Sequence, residues 1–268
     1  MIPGSATLAY CHPGTVSGDF AASLTRTILW DREGRGRVRG VINVESGPLI
    51  ASARNQVVSH FLENTESEWL LMLDADMVFE GNTLDRLIEA AEKNQAKVIG
   101  GLCFSGGTKV APTMYKILSK GDADTPGRIG TIESWPRGQV VQVDATGAAC
   151  LLMHRSILAT MGRRWPGVSP WFFFGTNSRT EYGEDVGFCI RVAILKERVF
   201  VHTGVEVGHV KKHIIDLGDF DRYLGQRAAV GDEGIEADHM AKRRCIAPVA
   251  PIAPVVPLNR AARRKAGS

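Results

Sequence analysis

The sequence predicts an α/β fold with a mixed, mostly parallel central sheet. Three observations carry that expectation. Short apolar runs of strand length (ATLAYCH at 6–12, EWLLML at 68–73, Lys97–Cys103) alternate with segments of helical periodicity. The run EWLLML is almost wholly apolar, as expected of a strand covered on both faces. The second half is built from shorter, Gly-punctuated strands, which adds an antiparallel part.

The elements follow in order. Residues 6–12 form a first strand closed by Pro13-Gly14. Ser17 caps a helix to about Trp30, with Phe20, Leu24, Ile28 and Leu29 on its inward face. Residues 31–40 read as a basic, Gly-rich loop, and Val41–Val44 as a short strand. Ser46-Gly47-Pro48 turns into a helix over about 49–63. After the strand at 68–73 come an amphipathic helix, Thr83–Lys93, and the strand Lys97–Cys103. Val110–Ile117, Ile129–Glu133 and Gln139–Asp144 read as short antiparallel strands, and Gly147–Met153 as a buried one. A helix near Ser156–Met161 precedes an aromatic, Gly-rich loop at 165–183. Then follow a helix, Glu184–Leu195, and a strand near Val199–His202.

Composition bounds the function. The 268 residues carry 32 Lys plus Arg against 29 Asp plus Glu, with 44% apolar residues, which excludes wholesale disorder. No apolar run approaches the ~20 residues of a membrane span, and no signal-peptide pattern opens the chain. Cys11, Cys103, Cys150, Cys189 and Cys245 are scattered and never form a CxxC pair, which points to a reducing, cytoplasmic setting. The positive charge sits at the end: Lys242, Arg243, Arg244, Arg260, Arg263, Arg264 and Lys265 share residues 241–268 with no acid. Pro248, Pro251, Pro254 and Pro257 recur every third residue, so 246–268 reads as a polyproline-like spacer with a disordered basic end. The expected organisation is one enzyme domain over 1–245, with halves 1–104 and 105–245, followed by that tail.

Four constellations offer chemistry. Asp74-Ala75-Asp76 leaves the apolar strand where α/β sheets bind ligands. Two carboxylates about 6 Å apart repel by about 3 kcal/mol at an effective dielectric near 20, so the pair makes most sense around a cation. Oxygen ligands suit Mg²⁺ or Mn²⁺ shared with a phosphate. The bland alternative is a solvated turn. Gly183-Glu184-Asp185 opens a helix directly after the aromatic loop; its acids serve as helix-terminus charges or supply a general base. His209 and His213, in GHVKKH, offer a nitrogen ligand that would tilt the metal towards Mn²⁺, or are a surface basic turn. Arg54 and Asn55 lie on the second helix, where an Arg can approach phosphate or base. Trp171 and Phe172–Phe174 read as core more readily than as a stacking platform. No GxxxxGK[ST] phosphate loop and no GxGxxG after a strand is present, which removes support for P-loop and nicotinamide readings.

In order along the chain, SARN (52–55), WLLMLDADMVF (69–79), DATGAACLLMHRSIL (144–158), PWFFFG (170–175), GEDVGFCIR (183–191) and VEVGHV (205–210) resemble GT-A-fold, family 2-like glycosyltransferases. The likeness runs over about residues 6–215 and is strongest to short phage- and prophage-encoded enzymes. It implies a Rossmann-like nucleotide-binding sandwich, a UDP- or GDP-sugar donor and a divalent metal. Asp74 would lie near the ribose and the metal shell, and Asp76 would ligate the metal, with His209 as the third ligand. Arg54, Asn55 and Ala75 would border the donor. Asp185 would activate the acceptor, with Glu184 and Trp171 beside it. A virion protein or a hydroxymethylated DNA base is the acceptor that such an origin implies. Two other readings compete. A haloacid-dehalogenase-type phosphatase would use Asp74 as nucleophile and Asp76 as acid/base. A non-catalytic nucleic-acid binder would use the basic tail.

Overall fold

The computed structural model describes residues 1–106, 110–119, 128–177, 180–211, 217–218, 220–221 and 224–225. The chain divides into two compact units, Met1–Lys211 and Lys212–Ser268. All elements below belong to the first. The Pro-rich tail and His213 lie outside the described residues.

β1 (Ile2–His12) buries an unbroken run from Ser5 to Ala9. α1 (Gly18–Glu33) starts where Ser17 Oγ accepts the Phe20 N–H at 3.0 Å. The inward face of α1 differs from the one its apolar spacing predicts. Phe20, Ser23, Thr27 and Asp31 are buried, whereas Ile28, Leu29 and Trp30 are exposed. For Ser23 and Asp31 the reason is hydrogen bonding; the buried Thr27 hydroxyl has no partner among the described residues. Ser23 Oγ accepts the Phe79 N–H, and the Asp31 carboxylate accepts the N–H groups of Arg37 and Val38. These bonds satisfy groups that an apolar face would leave unpaired. The Asp31 contacts also start β2 (Val38–Glu45) three residues before Val41, which shortens the expected loop. Ser17→Ala should destabilise the protein by about 1 kcal/mol, read as a lower urea midpoint at unchanged m-value.

α2 (Ile50–Asn64) leads to β3 (Ser67–Asp74). β3 is covered on both faces as expected: Leu70 and Met72 join one core cluster, and Trp69, Leu71 and Leu73 the other. β4 (Met77–Val78), α3 (Thr83–Asn94) and β5 (Val98–Ser105) follow. The mixed half contains β6 (Ala111–Pro112), β7 (Met114–Ser119), β8 (Arg128–Thr131), β9 (Val140–Val143), β10 (Ala145–Thr146) and β11 (Cys150–His154). After α4 (Arg155–Arg164), the aromatic loop carries a hairpin, β12 (Gly175–Asn177) with β13 (Thr180–Tyr182). α5 (Glu184–Ile194) and β14 (Val199–His209) complete the unit. β14 runs seven residues past the expected end at His202, so the Gly208-His209 block is part of a strand.

The main sheet has the order β2-β1-β3-β11-β5-β14-β4, with β6 on β5 and β9 on β14. β1 pairs in parallel with β2 and β3, and β5 with β14; β11 is inserted antiparallel between β3 and β5. Residues of α1 and α3 (Phe20, Leu84, Leu87, Ile88) pack one face. Residues of α2, α4 and α5 (Val57, Phe61, Leu158, Phe188) pack the other. This is the mixed, mostly parallel α/β arrangement that the sequence predicts.

Candidate active site

The site forms where strands of the parallel part end, which is where α/β sheets bind ligands. Cys11 of β1 stands opposite Asp74 of β3, and the Asp74 N–H is held by the Ala149 carbonyl at 3.0 Å. The turn after Asp74 is fixed from two sides. The Ala75 carbonyl accepts the Ser17 N–H at 3.1 Å, and the Asp76 carbonyl accepts the Val210 N–H at 2.8 Å. β4, one residue beyond Asp76, pairs antiparallel with the end of β14, with His209 opposite Met77. That pairing brings a histidine 133 positions away onto Asp76, with His209 Nε2 2.9 Å from Asp76 Oδ2. His209 Nδ1 lies 3.0 Å from the Phe104 carbonyl, which only accepts, so Nδ1 carries a proton. Nε2 therefore faces the carboxylate either as a second donor of a charged ring or with its lone pair aimed at a shared cation. A ring oriented through its other nitrogen is the usual setting of a metal-ligating histidine.

Arg54 is the hub of a second cluster. α2 carries its side chain inward, where it is buried between Asp74, at 2.7 Å from Nη2, and Glu184, which pairs with Nη1. Burial alone would lower the guanidinium pKa, but the Asp74 and Glu184 carboxylates outweigh it and hold Arg54 above its ordinary value. Its carbon Cζ lies 5.8 Å from the Phe172 ring centroid. Burial pushes the Glu184 carboxyl up, and Arg54 pulls it back. Asp185, beside it, is also pushed up by burial, against the Val186 N–H that donates to its Oδ1 at 2.7 Å and against Arg54. Asp185 makes no ion pair with Arg54, so its carboxylate is not neutralised in the way that of Glu184 is.

The structure thus joins Arg54, Asp74 and Glu184, with Asp185 adjacent, and separately pairs Asp76 with His209. Two expected contacts are otherwise occupied. Asn55 is buried; its Nδ2 donates to the Ala51 and Phe172 carbonyls at 2.6 and 2.7 Å, and its Oδ1 accepts the Trp171 and Phe172 N–H groups. It pins the aromatic loop and has no bonding capacity left for a donor. Trp171 is 6% exposed, with its indole N–H given to the Leu158 carbonyl, so it belongs to the core and offers no acceptor surface in this arrangement. Ala75 is likewise buried. His202 lies on β14 with Nδ1 accepting the Gly204 N–H, away from the Asp76 contact.

Sequence reasoning missed what shapes the loop. Arg191 of α5 lies over the Phe173 ring at 4.0 Å and the Trp165 ring at 5.0 Å, and donates to the Ser169 carbonyl. A Cβ on Gly187 would fall 2.1 Å from the Phe173 carbonyl oxygen, so only glycine lets the loop lie against α5. The visible signal was a glycine inside a helical pattern, which marks close backbone approach.

Among the described residues no three His, Cys, Asp or Glu side chains gather closely enough to hold a metal by themselves. Asp76 and His209 offer one oxygen and one nitrogen at mutually suitable distance, while Arg54 occupies one oxygen of Asp74. A divalent ion at that pair would take its other ligands from a diphosphate or water, as such ions commonly do. The residues present fit a shared site of that kind.

Residues 34–159 match the family model described as Glycosyl transferase family 2. Among solved structures, A197 from STIV superposes with a TM-score of 0.51 at 17% identity, over 78% of this chain and 86% of that one. The structure of GalNAc-T7 with UDP, GalNAc and Mn²⁺ gives a TM-score of 0.51 at 11% identity, over 85% of this chain. The match spans 49% of that neighbour's length. A search of curated proteins found no match. The fold is α/β and GT-A-like, and together with the family match it supports a glycosyl transfer activity. The family match covers Arg54, Asp74 and Asp76 but ends before α5 and β14.

Proposed function

We propose that the chain is a metal-dependent glycosyltransferase that moves a sugar, such as a hexosyl group, from a UDP- or GDP-sugar to an acceptor hydroxyl. The observation that carries this reading is the Asp76–His209 pair at the turn after β3. Asp76 and His209 would hold a Mn²⁺ or Mg²⁺ ion, which would offset the charge of the leaving diphosphate. Asp74, braced by Arg54, orients the donor. Glu184, tied to Arg54, sets the position of the first turn of α5 on the acceptor side. Asp185 takes the acceptor hydroxyl proton as that oxygen bonds to the anomeric carbon and the carbon–phosphate oxygen bond breaks with inversion. The nucleoside diphosphate leaves with the bonding electrons.

Nothing in the geometry favours the phosphatase reading. The seven basic residues of 241–268 favour a polyanionic acceptor, such as a hydroxymethylated base in phage DNA, over a virion protein. Asp76→Asn tests the assignment. It should abolish Mn²⁺-dependent binding of UDP or GDP by calorimetry, with an unchanged far-UV circular dichroism spectrum. Undiminished metal-dependent binding would remove Asp76 from the metal site.

A further inference from the structure

A second site lies along the same strand. The pairing of β14 with β5 slips between His202 and Glu206, so Thr203, Gly204 and Val205 bulge out of the ladder. Bulges of this kind re-aim side chains and are retained where something depends on them. Here the bulge opens a cradle. A Cβ on Gly204 would meet Arg86 Nη2 at 2.9 Å, Gly138 Cα at 3.1 Å and His202 Cε1 at 3.2 Å. A cavity of about 490 Å³ lies beside that point, between α3 and the β9–β14 pair, and Arg86 and His202 both line it. A second cavity of about 400 Å³ lies on the other side of Arg86.

We propose that the first cavity holds a phosphate-class oxyanion, gripped by the Arg86 guanidinium and the His202 ring N–H. Arg86 makes no side-chain hydrogen bond or ion pair with any described residue, so its fork of donors is open. His202 Nδ1 accepts the Gly204 N–H, so the neutral ring carries its proton on Nε2, as a donor. Lys93 on the rim adds a second cation. The one carboxylate on this cavity, Glu89, is paired with Arg35 at 2.6 Å. Glu80 and Glu206 line the other cavity, and neither pairs with Arg86. The start of β9 and the residue before it contribute Val140 and Gln139, without charge. Two donors, two cations and one neutralised acid suit a doubly charged, tetrahedral group better than a carboxylate. Burial, and then Arg86, push the His202 ring below its usual pKa. A bound dianion reverses that balance, so binding and protonation of His202 reinforce one another.

This site is distinct from the donor site. His202 stands opposite Gly101 and Val207 opposite Cys103, so His209 lies about four rungs of the ladder beyond His202, roughly 13 Å at strand rise, and the inference does not depend on glycosyl transfer. The test uses the full chain, ¹⁵N-labelled, with long-range proton–nitrogen spectra of the histidine rings. Inorganic phosphate is titrated at constant ionic strength, with acetate as a parallel arm. The expected result is a saturable shift of the His202 ring and a raised His202 pKa with phosphate. Arg86→Gln should weaken the apparent affinity by at least about tenfold, and Arg86→Lys by less. Arg86 has no side-chain hydrogen bond or ion pair among the described residues, so neither change removes such a bond there. No saturable response at His202, an equal response in Arg86→Gln, or acetate binding as tightly as phosphate would each overturn the proposal. A response confined to His209 would overturn it as well, because the anion would then sit at the donor site.

Discussion

Asp185→Asn is expected to lower turnover by about 10²–10⁴-fold, the usual contribution of a general base, with donor affinity nearly unchanged. The geometry favours Asp185 over Glu184 because Arg54 neutralises Glu184 directly, whereas Asp185 accepts from backbone N–H groups, chiefly that of Val186, and has no ion-pair partner among the described residues. Consecutive residues at a helix start also point about 100° apart, so the two carboxylates face different directions. Glu184→Gln should therefore lose less turnover. The Asp185 pKa is pushed up chiefly by burial, so the acidic limb of the rate profile should be displaced upward from that of a free aspartate. The sign for stability is the reverse of the common carboxylate case. A carboxyl whose folded pKa is raised favours the folded state below its unfolded pKa and loses that benefit as pH rises through the folded value. Holding Asp185 ionised at neutral pH thus costs stability. Asp185→Asn, whose amide oxygen can still accept from Val186, should melt no lower than wild type at pH 7, and any advantage should shrink on acidification. Near-full turnover in Asp185→Asn would place the base elsewhere or indicate a retaining reaction.

Arg54→Met should produce the largest loss of stability, about 3–5 kcal/mol, because it leaves Asp74 and Glu184 without their buried counter-charge. The loss is not a measure of the ion pair itself; most of it is the cost of the stranded carboxylates. Arg54→Lys keeps the charge but loses the two-armed fork, and should recover part of the stability and less of the activity. The deficit of Arg54→Met should diminish as pH falls, since Glu184, already pushed up by burial, then protonates more readily. Urea denaturation at two pH values reads both effects. A loss below about 1 kcal/mol, within the range of exposed pairs, would mean that Arg54 does not bear this charge balance.

The fold was legible because its signals are local. The apolar strand 68–73, the amphipathic helix at 83–93 and the cap at Ser17 each state their structure within a dozen residues. The face of α1 was not, because Ser23 and Asp31 earn burial through bonds to Phe79, Arg37 and Val38, and partners of that kind cannot be read from spacing. The same division holds at the site. Asp74, Asp76 and the Glu184-Asp185 pair announced themselves as carboxylates at element ends. The assignments of Asn55 and Trp171 looked like donor and acceptor contacts because motif position says nothing about which groups are already spent. Asn55 bonds the loop and Trp171 bonds α4, each across more than ten residues. The Arg54–Glu184 contact spans 130 positions, and nothing in either local segment indicates it. The long β14 was missed because its slip between His202 and Glu206 interrupts the strand pattern.

The most direct test of the central claim is nucleotide release from a panel of UDP- and GDP-sugars by purified protein, with and without Mn²⁺, in wild type and Asp76→Asn. Glycosyl transfer centred on Asp76 and His209 predicts slow, Mn²⁺-dependent release of the diphosphate from at least one donor. It also predicts loss of that release in Asp76→Asn and no hydrolysis of p-nitrophenyl phosphate. Rapid phosphate release from p-nitrophenyl phosphate with a trapped phosphoryl group on Asp74, or donor cleavage indifferent to both Mn²⁺ and Asp76, would contradict it.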